Sequence, residues 1–285
     1  MNSPYVRRLR LAAELRALRA ERGLTHEQLA KKIGQSRAQI SRLENGHAAD
    51  QSDVMSILDV LGVEGERWTT ILTIARQAGE RGWWESNKRM GERQAFYANL
   101  EAGAATIREY QGTFVPGLLQ TPDYTRARIE ADPRSGTDDY TADKAIEGRI
   151  GRQRMVRRPD GPTYDVVLDE VAIRRRSVPG EVMKAQIYHL TARANIDSRV
   201  SLRVLPVDAH IEAYSVPRSA FSVYTFPDPG DPSVVVADTV TNDLVHTEND
   251  QVGRYEELFG RLHRASLSEE DSLQFLIETA QGSHP

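Results

Sequence analysis

Between residues 23 and 46 helix stops and helix starts alternate at a spacing that leaves the backbone little choice. Gly23 ends one helical segment, because a residue without Cβ takes the left-handed conformation that closes a helix. Thr25 follows as an N-cap with Gln28 three residues on, the reciprocal pairing of a capping box. The helix that starts there runs from about His26 to Ile33, with Leu29, Ala30 and Ile33 inward. Gly34 turns the chain. Ser36 is the next cap, with Gln39 three residues later, and the spacing predicts a helix from about Arg37 to Glu44. It buries Ile40, Leu43 and part of Ala38. Asn45-Gly46 closes it, since both residues tolerate a left-handed backbone.

Three further segments complete a five-helix bundle. Leu9, Ala12, Ala13, Leu15, Ala17 and Leu18 give helical apolar spacing from about residue 8 to 20. Ser52 to Leu61 turns Val54, Ile57, Leu58 and Leu61 to one face, with Ser52 or Asp50 as cap and Gly62 as stop. Glu64 to Gly79 carries Trp68, Ile71, Leu72 and Ala75. Charge is divided unevenly around this bundle. Residues 1–49 hold ten Lys/Arg against four Asp/Glu, a local balance of +6, while the whole chain stands at −4. A basic block ahead of an acidic body fits a nucleic-acid-reading head on a larger domain.

The stretch Leu24-Thr25-His26-Glu27-Gln28-Leu29-Ala30, then Ile33-Gly34, then Ser36 to Gly46, resembles the Xre/Cro/repressor helix-turn-helix family. The resemblance implies that helix 37–44 enters the major groove of duplex DNA. Ser36, Arg37, Ala38 and Ser41 then face base edges. Arg37 has the fork to hold a guanine with both arms, and Ala38 suits a thymine methyl. Gln39 and Arg42 reach phosphates, and Thr25, His26 and Gln28 complete the DNA-facing set. His26 departs from the family, which usually carries a phosphate-clamping glutamine there; a histidine contact would be pH-sensitive. Glu44 is expected to pair with a basic residue of its own domain. Regulators of this type usually form homodimers on two half-sites, and no dimer interface is marked in the sequence.

Gly79, Gly82 and Gly91 mark a boundary, giving a head at 1–80, a linker at 81–94 and an α+β regulatory domain at 95–285. Adjacent Trp83 and Trp84 cannot share one helix face, so one is expected to pack on the larger body. Arg93 to Tyr110 reads as helical through Phe96, Tyr97, Leu100, Ala104 and Ile107. Pro116-Gly117 favours a type II turn. Thr121-Pro122 starts a helix carrying Tyr124, Ala127 and Ile129, and another spans Ala142 to Val156. Tyr164–Leu168, Val200–Leu205, Ala220–Phe226, Ser233–Ala237 and Leu244–Thr247 read as strands. Gly180–Ala194, Asn249–Ala265 and a segment capped by Ser268 with Asp271 read as helices. The expected class is an α helix-turn-helix head followed by an α+β body with a largely antiparallel sheet.

Glu109-Tyr110, Val115-Pro116-Gly117-Leu118-Leu119-Gln120-Thr121-Pro122-Asp123-Tyr124 and Arg126-Ala127 carry a second resemblance, followed in order by Arg152-Gln153-Arg154 and Val204-Leu205-Pro206. This region is similar to the C-terminal domain of actinobacterial WhiJ-like regulators, also described as antitoxin-like. Asp238-Thr239 departs mildly from the Glu-Thr pair frequent there. The resemblance implies a regulatory setting and a small partner protein encoded nearby. Two alternatives to a DNA-binding regulator therefore stand: an antitoxin-like module that sequesters such a partner, and a sensor of a small-molecule effector. For the sensor, Trp83, Trp84, Tyr110, Phe114 and Tyr124 are the candidate pocket residues.

The chain has no cysteine, which removes disulfides, thiolate metal sites and cysteine nucleophiles together. Its seven histidines make no metal-ligand spacing, His189 reads as a packing residue, and His210 lies beside Asp208 and Glu212 in a loop. No nucleophile elbow, phosphate loop or dinucleotide fingerprint occurs. No enzyme activity, cofactor or metal is expected. No apolar run is long enough for a membrane span, and residues 1–11 lack the apolar core of a signal peptide, so no membrane association and a cytoplasmic location are expected.

Overall fold

A computed structural model describes residues 1–86, 90–132, 141–214, 216–239 and 241–282. The chain divides into two compact units, Met1–Ser86 with Phe226–Pro232, and Asn87–Thr225 with Ser233–Pro285. Residues 87–89 of the expected linker lie outside the described residues. Among the described residues no helix is long and apolar enough to cross a membrane.

The N-terminal unit contains α1 (Pro4–Glu21), α2 (His26–Ile33), α3 (Arg37–Glu44), α4 (Gln51–Val60), α5 (Gly65–Ala78) and the single turn α6 (Trp83–Ser86). Helix α1 starts earlier than its apolar spacing predicts. Ser3 caps it by accepting from the Val6 amide, and Pro4 occupies the first turn, where its missing N–H costs nothing. Leu15 and Leu18 from α1, Leu29 from α2, Ile40 and Leu43 from α3, Ile57 and Leu58 from α4 and Ile71 and Ile74 from α5 form one core. Ala38 is exposed, not partly buried; α3 is short enough that Ile40, Leu43 and Glu44 fill its inward face. Asp50 stands at the N-cap of α4 without a side-chain capping bond. Trp84 is buried and Trp83 half-buried, edge to face with centroids 6.1 Å apart. Both belong to the N-terminal unit.

Segment 226–232 belongs to this unit through α1. Arg7 reaches Asp228 at 3.0 Å and Asp231 at 3.1 Å, and Arg10 reaches Asp228 at 2.6 Å. The Gly230 amide donates to Asp228 at 3.0 Å. That bond, with the two guanidinium groups, outweighs burial and holds the Asp228 carboxyl down at about 2.

The C-terminal unit runs α7 (Glu92–Gly103), β1 (Thr106–Gln111), a 3-10 turn (Gly117–Leu119), α8 (Pro122–Glu130), α9 (Ala142–Val156), β2 (Thr163–Asp169), α10 (Glu170–Arg174), α11 (Gly180–Ile196), β3 (Val200–Leu205), β4 (Phe221–Thr225), β5 (Val234–Ala237), β6 (Leu244–His246), α12 (Asn249–Ala265) and α13 (Glu269–Ala280). Its sheet is six-stranded in the order β3-β2-β1-β4-β5-β6. β1–β2 and β2–β3 are parallel; β1–β4, β4–β5 and β5–β6 are antiparallel. The α+β class stands, with a mixed sheet whose antiparallel pairs are the majority. Tyr110, Val167, Phe221, Val223 and Val235 share a core with Val252, Phe259 and Leu262 of α12. By the two-residue alternation of a strand, Ile107, Glu109 and Tyr224 turn to the other face.

Two local expectations are corrected. The helix read over 93–110 ends at Gly103, and 106–111 is instead β1, a central strand. Ala104 takes an extended backbone, φ −64° and ψ 141°, and β-branched and aromatic residues follow, which favour a pleated surface. Pro116-Gly117 makes no type II turn, because Gly117 is not among the positive-φ glycines. Pro116 instead precedes the 3-10 turn. Gly117 lies close to two cations: a Cβ there would meet the Arg152 guanidinium at 3.6 Å and that of Arg149 at 3.7 Å, ordinary contact distances.

Ile57 is 1% exposed at the centre of the N-terminal core. Ile57→Ala is expected to cost about 2–5 kcal/mol, read as a lower denaturation midpoint of the helical signal by circular dichroism.

Candidate nucleic-acid interface

The helix-turn-helix is assembled by local bonds. Thr25 Oγ1 accepts from the Gln28 amide at 3.2 Å, and Gln28 Oε1 accepts from the Thr25 amide at 2.8 Å. Gly34 closes α2 in the left-handed region, φ 70°. Ser36 Oγ accepts from the Gln39 amide at 3.1 Å. The Gln39 side chain does not return to its cap. Its Nε2 donates to Asp53 at 3.2 Å, beside Gln35 Nε2, which donates to the same carboxylate at 3.0 Å. One acid at the start of α4 thus holds two amides flanking the start of α3.

Under this surface lies Glu44, 3% exposed. Arg19 Nε and Nη2 donate to its two oxygens at 2.6 and 2.8 Å, and His26 Nε2 lies 3.0 Å from Oε2. Arg19 Nη1 also donates to the Leu24 carbonyl at 2.7 Å, and Arg16 to the Glu44 carbonyl. Burial pushes the Glu44 carboxyl up, but the bonds and charges of Arg19 and His26 outweigh it and hold it below the usual carboxylate range. The expected pairing of Glu44 within its own domain is what the structure shows.

The fate of the ten N-terminal cations is uneven. Arg7 and Arg10 pair with Asp228 and Asp231, Arg19 with Glu44, and Arg8, Arg16 and Arg22 bond to the carbonyls of Ala78, Glu44 and Gly62. Lys31, Lys32, Arg37 and Arg42 are exposed and make no side-chain ion pair or hydrogen bond among the described residues. All four lie on α2 and α3. Ser36, Arg37 and Ala38 form an exposed run, and the first turn of α3 carries no acid, so its amide dipoles are uncompensated. Ser41 is half-buried and contacts Asn45, whose Nδ2 donates to the Ser41 carbonyl at 2.7 Å. Lys31, Lys32 and Asp53 lie outside the set that the motif alone indicates. The lysines are legible as the polar side of α2, opposite Leu29 and Ala30. Asp53 is not, because its contact depends on how α4 packs.

The five aromatic pocket candidates are divided between the two units. Trp83 and Trp84 belong to the N-terminal unit and the other three to the C-terminal unit. Tyr124 is fully buried, its Oη accepting from the Val115 amide at 3.3 Å. Tyr110 donates to Asp169 at 3.1 Å and packs on Phe221. Phe114 lies under the Arg128 guanidinium at 3.9 Å. His210 stacks edge-on against Tyr214, and Glu212 pairs with Arg264.

Because the folded-state Glu44 carboxyl titrates below its unfolded value of 4.5, it stabilises the fold above that value and loses this contribution as pH falls through the folded value. Glu44→Gln is expected to cost about 3–5 kcal/mol near neutral pH by leaving Arg19 without its counter-charge. In thermal melts the gap to the parent protein should stay constant above the carboxylate range and narrow on acidification below it.

Comparison with known families agrees with this geometry. Residues 10–68 match the family described as Helix-turn-helix domain, which points to a DNA-binding regulator. Residues 94–278 match the family described as Domain of unknown function (DUF5753). No curated protein and no solved structure matches significantly. Since the second match spans about two thirds of the sequence, the chain belongs to the DUF5753 family, with a helix-turn-helix domain ahead of the region that defines it.

Proposed function

We propose that this protein is a sequence-specific transcriptional regulator that lays α3 in the major groove of duplex DNA and is modulated through its C-terminal unit. One observation carries the reading: the four cations before residue 50 with no side-chain partner among the described residues all lie on α2 and α3. Arg37, one residue past the Ser36 cap, holds a guanine edge with both arms, and Ala38 beside it meets a thymine methyl. Lys31, Lys32 and Arg42 neutralise phosphates. Thr25 and Gln28 fix the start of α2, and Asp53 presents Gln39. His26 is turned to Glu44, so the phosphate role its position suggests falls to the lysines. One eight-residue helix reads few base pairs, and a homodimer on two half-sites supplies the remaining specificity. In this reading DNA binding lies within residues 1–80, regulation lies from 95 onward, and the Val115–Tyr124 stretch is what favours a kinship with WhiJ-like regulators.

The test is fluorescence anisotropy with duplexes selected from a random pool. Arg37→Ala is expected to weaken the selected duplex by about tenfold to a hundredfold, the cost of one bidentate base contact, and to relax preference at one position. Lys31→Ala with Lys32→Ala should weaken every duplex alike and reduce the salt slope by about 2, at roughly 0.9 per phosphate contact. Unchanged binding by the Arg37→Ala, Arg42→Ala double variant would reject this assignment.

A further inference from the structure

In the C-terminal unit, the sheet face turned away from α12 holds a cavity of about 170 Å³ between α7, α9, β1 and β4. This is far more room than the single water that fills an ordinary polar gap. Arg93, Glu109, Arg149, Arg152 and Asp238 all line it. Charged groups around a void are expensive, and an apolar filling of the same space would be cheaper to fold.

The carboxyl side is under-compensated. Glu109, 7% exposed on the central strand, accepts from Tyr164 Oη at 2.5 Å and from Gln111 Nε2 at 2.9 Å. Both donors are neutral. Burial pushes the Glu109 carboxyl up to about 7 despite those bonds, and the charge of Asp238 adds to the effect. Asp238 accepts from Tyr97 Oη at 2.9 Å and stands 3.6 Å from Arg93; burial raises it as well. Arg93 itself spends its closest bonds on Asp243, at 2.7 Å. On the guanidinium side Arg152 has donors to spare. Arg152 gives its Nε and one Nη2 proton to Glu101 and one Nη1 proton to Gln94, while a guanidinium carries five N–H donors. Arg149 and Gly117 line the same side.

We propose that this cavity binds a small zwitterion of the α-amino-acid type, its ammonium held by Glu109 and Asp238 and its carboxylate by Arg149 and Arg152 beside Gly117. The proposal rests on the cavity alone and stands whether or not α3 reads DNA. The ligand supplies a cation where the buried Glu109 and the half-buried Asp238 line the cavity and an anion where Arg152 N–H donors remain. A ligand with only one of these charges leaves the other end of the site desolvated and unpaired.

The test is isothermal titration of the full-length protein with each of the twenty common amino acids, and with the decarboxylated amine and the deaminated acid of any that binds. At least one amino acid should bind and raise the melting temperature, with its amine and its acid each weaker by about tenfold or more. Glu109→Gln should weaken binding by a similar factor while keeping the circular dichroism spectrum. Asp238→Asn serves as the second variant if Glu109→Gln does not fold. Binding by no amino acid, equal binding of the amine or the acid alone, or parent-like binding by both variants would overturn the proposal.

Discussion

One buried carboxylate organises the N-terminal unit. Glu44 receives both arms of the Arg19 fork and the His26 ring, while Arg19 also grips the Leu24 carbonyl. These bonds join the end of α1, the corner into α2, the start of α2 and the end of α3. Short helices have little propensity of their own to persist, so the angle between α2 and α3 depends on this node and on the core beneath it. A charge held this deep is costly unless fully paired, and here both oxygens are engaged.

The same economy governs the other cations. A basic N-terminal block invites the picture of a uniform positive surface, yet most of its arginines are structural. Arg7 and Arg10 are matched to Asp228 and Asp231, and Arg8, Arg16 and Arg22 close carbonyls left over at helix ends. What remains for a partner is a smaller and better-placed set on α2 and α3. The balance of +6 describes the block as a whole and does not tell which of its side chains are available.

In the C-terminal unit the sheet separates two environments. The face toward α12 is apolar, with Phe221, Val223 and Phe259 packed together. The face toward α7 and α9 carries the buried pair Arg152–Glu101 and the carboxyl of Glu109. Strand alternation alone puts Tyr110 on one side and Glu109 on the other, so a single strand serves both the core and the polar cavity. Reading 106–111 as helix hid this: Ile107 continues the apolar spacing of Leu100 and Ala104, and periodicity cannot tell a short buried strand from one more helical turn.

What the sequence determined by itself was local. The ends of α2 and α3, the capping box of Thr25 and Gln28, the glycine stops at 23, 34 and 46, and the bounds of α9, β3 and α12 all follow from caps, breakers and short-range periodicity. These are properties of a few neighbouring residues and survive without the rest of the fold. Only the tertiary structure decided which acid meets which base. Glu44 lies 25 residues from Arg19, and Asp228 lies 221 from Arg7. It also made β1 a central strand, paired in parallel with β2 and antiparallel with β4, and gathered five charged side chains around one cavity. Such pairings depend on how elements pack at distances along the chain that no local pattern encodes.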